Sequence, residues 1–344
     1  GRLVATAPAD LLAAYRLRWK RRRLLGRAYA RRHELTTRID RTTAIRKGDI
    51  LGFSTVRNEA VRLPWFLDHH RRLGVTHFLI VDNGSDDGTT DLLAAQPDVS
   101  LWVTQASYKA SRFGMDWLTW LQMRHGHGHW CLTVDADELL IYPYWDSRDL
   151  RALTHWLDAQ NRPMFGAMML DLYPKGPVGD HPYHAGDDPL AALPWFDPSG
   201  YGIRIQQPMG NLWVQGGPRT RMFFGAEPRR APTLNKVPLV KWHWRYAYVN
   251  STHSLLPPRL NRIYATDGSE APSGLLLHTK FLHTVVERAR IEQVRGEHFS
   301  NSAQYDRYYD ALGENPDLWS PHSRRLTTWR ALESLGLMSR GGWV

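Results

Sequence analysis

The chain has 344 residues, 42% of them apolar, so it can bury a full core as one large domain or two coupled domains. It contains no run near the ~18 apolar residues of a membrane-spanning helix, no signal-peptide-like stretch and only one cysteine, so we expect a cytoplasmic protein. The net charge of +10 lies in the leader, where residues 1–50 hold 14 Lys and Arg against 4 Asp and Glu, leaving 30 of each elsewhere, and this neutral body argues against a nucleic-acid partner.

The first predicted element is a basic amphipathic helix within residues 1–47. The run "LLAAYRLRWKRRRLLGRAYARRHEL" mixes Leu, Tyr and Trp with a block of arginines. Such a pattern suits an anionic membrane surface, which residues 11–33 would contact. A solvated helix that docks on the body is the alternative.

From Asp49 onward, short apolar runs alternate with helical patterns, which indicates an α/β fold. Strands are predicted at "DILGFSTV", "THFLIVD", "SLWVTQ" and "HWCLTVD", and helices within "NEAVRLPWFLDHHRRLGV", "TTDLLAA" and "GMDWLTWLQMRH". Gly74 is expected to end the first of these helices. We therefore expect a mixed, mostly parallel sheet flanked by helices, with a basic helix before it and a helical region after it.

A Pro- and Gly-rich loop, "YPKGPVGDHPYHAGDDPLAALPWFDPSGYG", follows and separates two halves. The predicted division is 48–175 for the nucleotide-binding half, 176–300 for the acceptor-binding half and 301–344 for a tail of short helices. The segment "TKFLHTVVERARIEQVRGEHF" is predicted to be an amphipathic helix.

Two acidic clusters, "VDNGSDD" and "VDADE", follow predicted strands, where ligands of open α/β sheets bind. Carboxylates packed this closely repel one another, and their burial costs several kcal/mol unless a cation compensates. Asp135 and Asp137 are separated by one small residue and can both reach a divalent ion. Magnesium bound in this way takes its remaining ligands from water and substrate phosphates.

The segments "VRNE", "VDNGSDDGT" and "DADE", in this order on strand ends, resemble the nucleotide-sugar-binding half of GT-A glycosyltransferases of the family 2 type. The longer runs "RFGMDWLTWL", "HGHWCLTVDADE" and "LDLYPKG" are similar to a bacterial subgroup of that family. The similarity covers roughly residues 48–300 and implies a Rossmann-like GT-A fold.

The resemblance also implies roles for individual residues. Asp135 and Asp137 match the Asp-x-Asp element, in which Asp137 is the metal ligand and Asp135 a ligand or ribose contact. Glu138 either contacts the acceptor or supports the loop. The implied nucleotide-binding residues are Thr55, Arg57, Asn58, Glu59, Asp82, Asp86, Asp87, Arg112 and Asp135.

Sugar transfer builds negative charge on the leaving diphosphate, which cations must neutralise. Arg112 is one candidate, together with Arg219, Arg221 and Lys236 as phosphate-binding residues. Arg219 and Arg221 would point to the same side if "GGPRTRMFFG" is extended.

An inverting transfer also needs a carboxylate base for the acceptor hydroxyl. Asp171, at the end of a predicted strand, is the first choice, and Asp187 and Asp188 are the second. His253 is a candidate metal ligand, with His278 competing for the role.

Trp242 and Trp244 either stack on an acceptor sugar or pack in the core.

These patterns predict a metal-dependent glycosyltransferase that uses Mn²⁺ or Mg²⁺. It would move a sugar with inversion from a UDP- or GDP-type donor to a glycan or lipid-linked acceptor. We expect it in the cytoplasm, either free or peripheral at the inner face of the membrane. The alternatives are a nucleotidyltransferase or hydrolase with the same acidic site, or a non-catalytic membrane or nucleic-acid adaptor acting through the basic leader.

Overall fold

The computed structural model describes residues 8–265, 267, 269–295 and 302–344, and a mixed nine-stranded sheet organises this part of the chain. The strand order is β1-β4-β3-β2-β5-β11-β7-β14-β6. The strands are β1 (Thr36–Ile39), β2 (Ile50–Val56), β3 (Val75–Asp82), β4 (Val99–Val103), β5 (Trp130–Thr133), β6 (Glu138–Ile141), β7 (Met164–Asp171), β8 (Trp195–Phe196), β9 (Gly202–Gln206), β10 (Asn211–Gln215), β11 (Asn235–Lys241), β12 (Ala247–Tyr248), β13 (Leu255–Leu256), β14 (Ser273–His278) and β15 (Arg324–Arg325).

Strands β4, β3, β2 and β5 form a continuous parallel block, and β14 is parallel to β7. Strand β11 is antiparallel to both β5 and β7, and so joins the block to the second half of the sheet. The predicted α/β sheet flanked by helices is confirmed. Because strands from residues 176–300 lie within this same sheet, the two predicted halves share one core.

Helices are α1 (Pro8–Arg31), α2 (Leu63–Leu73), α3 (Thr89–Ala94), α4 (Met115–Leu121), α5 (Leu150–Ala159), α6 (Pro189–Ala192), α7 (Gly217–Phe223), α8 (Val285–Arg295), α9 (Ser302–Gly313) and α10 (Trp329–Ser334). Gly74 ends α2 with φ of 109°, as its sequence position predicts. The helix predicted over 279–299 begins only at Val285, and residues 296–299 lie outside the described residues. No helix in the described ranges is long and apolar enough to cross a membrane.

Alternate residues of the central strands pack on opposite faces of the sheet. In β2, Ile50 belongs to the core that contains residues of α2 and α5, whereas Leu51 and Phe53 belong to the core that contains residues of α4. In β3 the same alternation repeats. Both faces are therefore covered, which explains why these strands read as nearly continuous apolar runs.

Two adjacent histidines of α2 hold the edge strand β6. Nε2 of His69 lies 2.7 Å from the carbonyl oxygen of Leu140, while Nε2 of His70 accepts the Leu140 N–H at 3.3 Å. The backbone N–H and carbonyl of Leu140 are thus hydrogen-bonded by these side chains, on the side where β6 has no neighbouring strand.

The basic helix α1 docks on α4 through a buried carboxylate. Arg27 donates to Asp116 at 2.9 Å, Arg31 lies 3.4 Å from it, and Arg112 donates from the other side at 2.9 Å. Asp116 has no exposed side-chain surface. The predicted leader helix is therefore a fixed part of the fold.

The pairing register of β14 brings three titratable side chains together. His278 pairs with Asp171 of β7 on one side and with Glu138 of β6 on the other. The polar residues at the ends of β7, β14 and β6 consequently meet at one end of these three strands.

Candidate active site

His278 lies between two carboxylates at this end of the strands. Its Nε2 is 3.1 Å from Oδ2 of Asp137, and its Nδ1 is 2.6 Å from Oδ1 of Asp171. The other oxygen of Asp171 accepts a 2.8 Å hydrogen bond from Nε of Arg219. The result is a linear chain of four charged or titratable groups, of which Asp137 is the most exposed.

The electrostatics of this chain follow from its ion pairs. Burial opposes the change, but Arg219 and His278 lower the pKa of Asp171 to about 2. His278 and more distant cations likewise outweigh burial and lower the pKa of Asp137. The two carboxylates in turn raise the pKa of His278 against the effect of its burial. Asp137 and Asp171 are thus stabilised as anions.

Lys236 supplies the compensating charge that the "DADE" sequence lacked. Its Nζ lies 2.9 Å from Glu138 and 3.2 Å from Asp135, and its side chain is buried. Glu138 is fully buried and accepts the Asp135 N–H at 2.8 Å. Burial raises the pKa of Glu138 to about 7, although Lys236 opposes this shift. Glu138 therefore supports the loop, the second of its two predicted roles, and no part of its side chain reaches the surface.

The three acids of "DADE" therefore have different surroundings. Asp137 faces His278, Asp135 is half exposed beside Lys236, and Glu138 is inside. The sequence predicted a difference between them but did not identify the partners, which come from strands about 100 and 140 residues later.

The predicted nucleotide-binding loops after β2 and β3 interlock. The backbone N–H groups of Asn58, Glu59 and Ala60 donate to the side chains of Ser85, Thr89 and Asp87, respectively. The side chain of Asn58 in turn accepts from the Asp86 N–H at 2.8 Å. The structure brings "VRNE" and "NGSDDGT" together, but with these successive N–H groups already paired.

Asp82, predicted to contact the base, is 1% exposed and bonded within its own turn. It accepts hydrogen bonds from the Ser85 N–H and hydroxyl and from the Thr90 hydroxyl. Arg57 donates to the carbonyl of Asn83 at 3.1 Å. These contacts give Asp82 a structural role, and a nucleoside contact from it stays a prediction.

Thr55 lies beneath a tight turn. Gly114 has φ of 79°, and a Cβ atom there would lie 2.7 Å from Oγ1 of Thr55. The turn thus approaches β2 more closely than a residue with a side chain would permit.

Three cations at the site, Arg62, Arg288 and Lys280, were not predicted from the sequence. Arg62 donates to Glu59 and to the carbonyls of Thr279 and Lys280, and Arg288 donates to the other oxygen of Glu59. These bonds tie the loop after β2 to the segment after β14. They also mean that Glu59 is held by two arginines rather than open to a nucleoside.

Lys280 is the third of these cations. Burial, reinforced by Arg219, lowers the pKa of Lys280 to about 8, while Asp137 and Asp171 oppose the shift. Its position two residues after His278 in "LLLHTK" was the only signal available in the sequence.

The predicted arrangement of Arg219 and Arg221, with both side chains on the same side of an extended segment to bind phosphate, is wrong. The segment "GGPRTRMFFG" forms the helix α7 rather than an extended strand, so the two side chains diverge. Arg219 bonds Asp171, whereas Arg221 bonds Asp197 at 3.1 Å. Lys236 is likewise occupied by Asp135 and Glu138.

Arg112, also predicted to bind the nucleotide, is hydrogen-bonded within the protein. Besides Asp116, it donates to the carbonyls of Tyr248 and Val249 at 3.2 and 3.0 Å. Its guanidinium therefore joins α4 to the β12 region.

The predicted bases differ in accessibility. Asp171 is 2% exposed and both its oxygens are bonded, so in this structure it positions His278, and a base role for it stays a prediction. Asp188 caps α6 by accepting the Leu190 N–H at 2.9 Å. Asp187 accepts the His184 N–H at 3.1 Å in an exposed turn. A base role for Asp187 or Asp188 stays a prediction.

The two predicted acceptor-stacking tryptophans lie near the opposite end of β5. Lys241 pairs with Trp130 at the start of that strand, roughly 16 Å along the chain direction from Asp135. Trp242 is 2% exposed and packs with Tyr246 and Tyr248, so it belongs to the core. Trp244 is exposed, but its position beside Trp242 places it far from the acids.

His253, the predicted metal ligand, contacts the Asn235 carbonyl oxygen at 2.5 Å through Nδ1. Burial, assisted by Lys236, lowers its pKa to about 3. The structure places His278, and not His253, against Asp137. The candidate metal ligand next to Asp137 is therefore His278.

The pair of Asp137 and His278 offers one oxygen and one nitrogen atom as possible donors to a divalent ion. In this structure the 3.1 Å contact between Asp137 and His278 is a hydrogen-bonded ion pair, which a bound ion would have to replace. Asp171 would hold the second nitrogen of His278, as carboxylates commonly do behind metal-bound histidines. The described residues contain no group of three or more His, Cys, Asp and Glu arranged to hold a metal, so other ligands would have to come from substrate and water.

A separate open cleft of about 710 Å³ lies along α8. Its lining includes His283, Glu287 and Arg290 but none of the acids described above. It does not coincide with the candidate site.

Comparisons with known proteins show no match to a family model and no match to a curated protein. Among solved structures, one described as a glucose-1-phosphate thymidylyltransferase from Bacillus anthracis, in complex with a sucrose, has a TM-score of 0.33 at 11% identity, covering 75% of this chain and 99% of its own. A 4-diphosphocytidyl-2C-methyl-D-erythritol synthase has a TM-score of 0.26 at 12% identity, covering 84% and 100%. Scores this low carry no argument about activity, and the family 2 resemblance stays a prediction.

Proposed function

We propose that the chain is a metal-dependent glycosyltransferase that uses a nucleotide-diphosphate sugar. The observation that carries the proposal is the Asp137–His278 pair, oriented by Asp171, at the edge of the sheet next to the interlocked "VRNE" and "NGSDDGT" loops. Asp137 and His278 would hold Mn²⁺ or Mg²⁺. The bound ion would neutralise charge that develops on the leaving diphosphate.

The chain's own residues would prepare the site for this reaction. Asp171 keeps a proton on Nδ1 of His278 and directs Nε2 toward Asp137. Arg62 and Arg288 fix the loop after β2 through Glu59. Lys280, two residues after His278, would add a positive charge that interacts with the diphosphate.

Nucleotidyl transfer is the competing reaction, and the loop after β2 favours glycosyl transfer. A triphosphate is commonly cradled by successive backbone N–H groups of a glycine-rich loop. Here the loop "RNEAVRLP" has no glycine, and the N–H groups of Asn58, Glu59 and Ala60 are already bonded to side chains. A diphosphate held mainly by a metal ion and cations requires no such cradle.

The proposal is tested by a thermal-shift screen of UDP-, GDP-, CDP- and TDP-sugars with Mn²⁺, followed by product analysis. We expect at least one donor to raise the melting temperature only with the metal, because binding to the native state stabilises it. EDTA should abolish the shift, and Asp137→Asn should reduce it strongly. Asp68→Asn, at a residue 66% exposed on α2, is the matched control and should preserve the shift.

The products separate the candidate reactions. Release of nucleoside diphosphate with transfer of the sugar supports the proposal. Release of pyrophosphate from a nucleoside triphosphate and a sugar phosphate would replace it with nucleotidyl transfer. Absence of any metal-dependent shift, or a full shift in Asp137→Asn, would refute the assigned metal site.

A further inference from the structure

Helix α1 buries one face and leaves the other open. Leu17 and Leu24 pack in a small core with Ala247 of β12 and Leu256 of β13. Together with the Asp116 ion pairs, this packing fixes which side of the helix turns outward. The exposed side is therefore a defined surface of the folded protein.

Four large apolar or aromatic residues lie on that outward side. Leu11, Leu12, Tyr15 and Trp19 are 57%, 51%, 56% and 51% exposed. At 100° per residue they fall within an arc of about 100°, roughly opposite the buried Leu17. The helix thus presents a continuous apolar stripe to solvent, which a folded protein ordinarily avoids unless the stripe has a partner.

Arginines border this stripe on both sides. By the same helical geometry, Arg16 and Arg23 lie along one edge and Arg18 along the other. The guanidinium of Arg22 lies 5.4 Å from the Trp19 ring centroid, within the stripe itself. Residues 8–31 contain eight Lys and Arg but only one acid, Asp10.

A second basic segment extends this surface. Residues 242–263 contain three arginines and no Asp or Glu, and α1 packs against the β12 and β13 strands within that range. Burial, together with Arg245, Arg18, Arg22 and Arg259, lowers the pKa of Arg21. The positive charge of α1 is therefore continued by the body beside it.

We propose that this basic helix surface, formed by the outward side of α1 and by Arg245 and Arg259, binds an anionic lipid membrane. Leu, Tyr and Trp would enter the boundary between headgroups and acyl chains, and the flanking arginines would contact lipid phosphates. A nucleic acid would match the charge, but it would offer no apolar layer to Leu11 and Leu12. The combination of an apolar stripe with arginines on both borders thus favours lipid.

The experiment is co-sedimentation of the full chain with vesicles of phosphatidylcholine containing about 30% phosphatidylglycerol. We expect binding to these vesicles that weakens with added salt, and little binding to phosphatidylcholine alone. Leu12→Ser with Trp19→Ser should weaken binding at least about tenfold, since both side chains lose apolar area. Ile203→Ser, at a residue 68% exposed on β9, is the control and should leave binding unchanged.

A second pair of variants separates charge from apolar insertion. Arg22→Ser with Arg23→Ser should weaken binding about 25-fold, at about fivefold per residue. Arg229→Ser with Arg230→Ser removes the same charge from exposed positions elsewhere and should have little effect.

Failure to bind anionic vesicles, or equal loss in both arginine pairs, would overturn the proposal. Binding to single-stranded RNA that competes with vesicles and persists in the Leu12→Ser, Trp19→Ser variant would identify a nucleic-acid surface instead.

Discussion

Nε2 of His278 lies 3.1 Å from the carboxylate of Asp137, although 141 residues separate them in the sequence. The contact depends on β14 entering the sheet between β7 and β6. This relationship links the fold directly to the proposed chemistry, because it places the nitrogen and the oxygen that the proposal assigns to a metal ion 3.1 Å apart.

We therefore expect His278→Gln to weaken Mn²⁺ binding. Loss of an outer-shell partner commonly costs 10–100-fold in metal affinity, and loss of a direct ligand should cost at least as much. Isothermal titration of Mn²⁺ in the presence of a bound donor measures the change. His253→Gln is the matched control, since His253 is buried and bonded to the Asn235 carbonyl. A loss of affinity in His253→Gln but not in His278→Gln would reverse the assignment.

Lys236→Met should destabilise the protein by up to about 3–5 kcal/mol, because the buried Glu138 would lose its counter-charge, and by less to the extent that Glu138 takes up a proton instead. The double variant Lys236→Met, Glu138→Gln should be more stable than Lys236→Met alone, since it removes the unpaired charge. Urea denaturation at neutral pH measures both. Equal stability of the single and double variants would show that the pair is not coupled.

The sheet and most of its elements could be predicted because they depend on local apolar patterns and turn residues. Gly74, for example, ends α2 in the left-handed conformation that its place after "HHRRL" indicates. The acidic strand ends could be identified for a similar reason, since carboxylates after buried strands are unusual and need compensation. The compensating groups were less predictable, because Lys236 and His278 reach the acids through long-range strand pairing.

The features that the sequence did not predict also depend on contacts between distant segments. Arg219 and Arg221 read as a pair only if their segment is extended, and nothing local in "GGPRTRMFFG" distinguishes that from the helix that forms. Asp171 ends a strand as predicted, but its burial between His278 and Arg219 depends on two other elements. Trp242 could not be assigned to the core before the direction of β11 was known.

The His69 side chain should make the protein less stable in acid. Burial lowers the pKa of His69 to about 4, whereas an unfolded histidine titrates near 6.5. Between these values the unfolded state binds the extra proton, so stability is present above about pH 6.5 and falls as the pH drops toward 4. The contribution is about 3 kcal/mol over this window at about 1.4 kcal/mol per unit.

His69→Gln tests this linkage, since an amide can still donate to the Leu140 carbonyl without titrating. We expect the stability difference from wild type to shrink by about 3 kcal/mol between pH 7 and pH 4. His155→Gln, on the exposed side of α5, should show a pH-independent difference. A constant difference for His69→Gln would mean that the pKa of His69 is the same in the native and unfolded states.

Asp116→Asn should release helix α1 from the body. Asp116 is completely buried and paired with Arg27, Arg31 and Arg112, and removing one partner of a buried ion pair typically costs about 3–5 kcal/mol. Because the lost contacts lie between α1 and α4, we expect local opening of α1, seen as faster tryptic cleavage within residues 16–31. Asp91→Asn is the control, since its pair with Arg38 is exposed and 3.6 Å long and should contribute at most about 1 kcal/mol. Equal cleavage rates in the two variants would show that Asp116 does not anchor the helix, and the fixed orientation on which the membrane surface depends would lose its support.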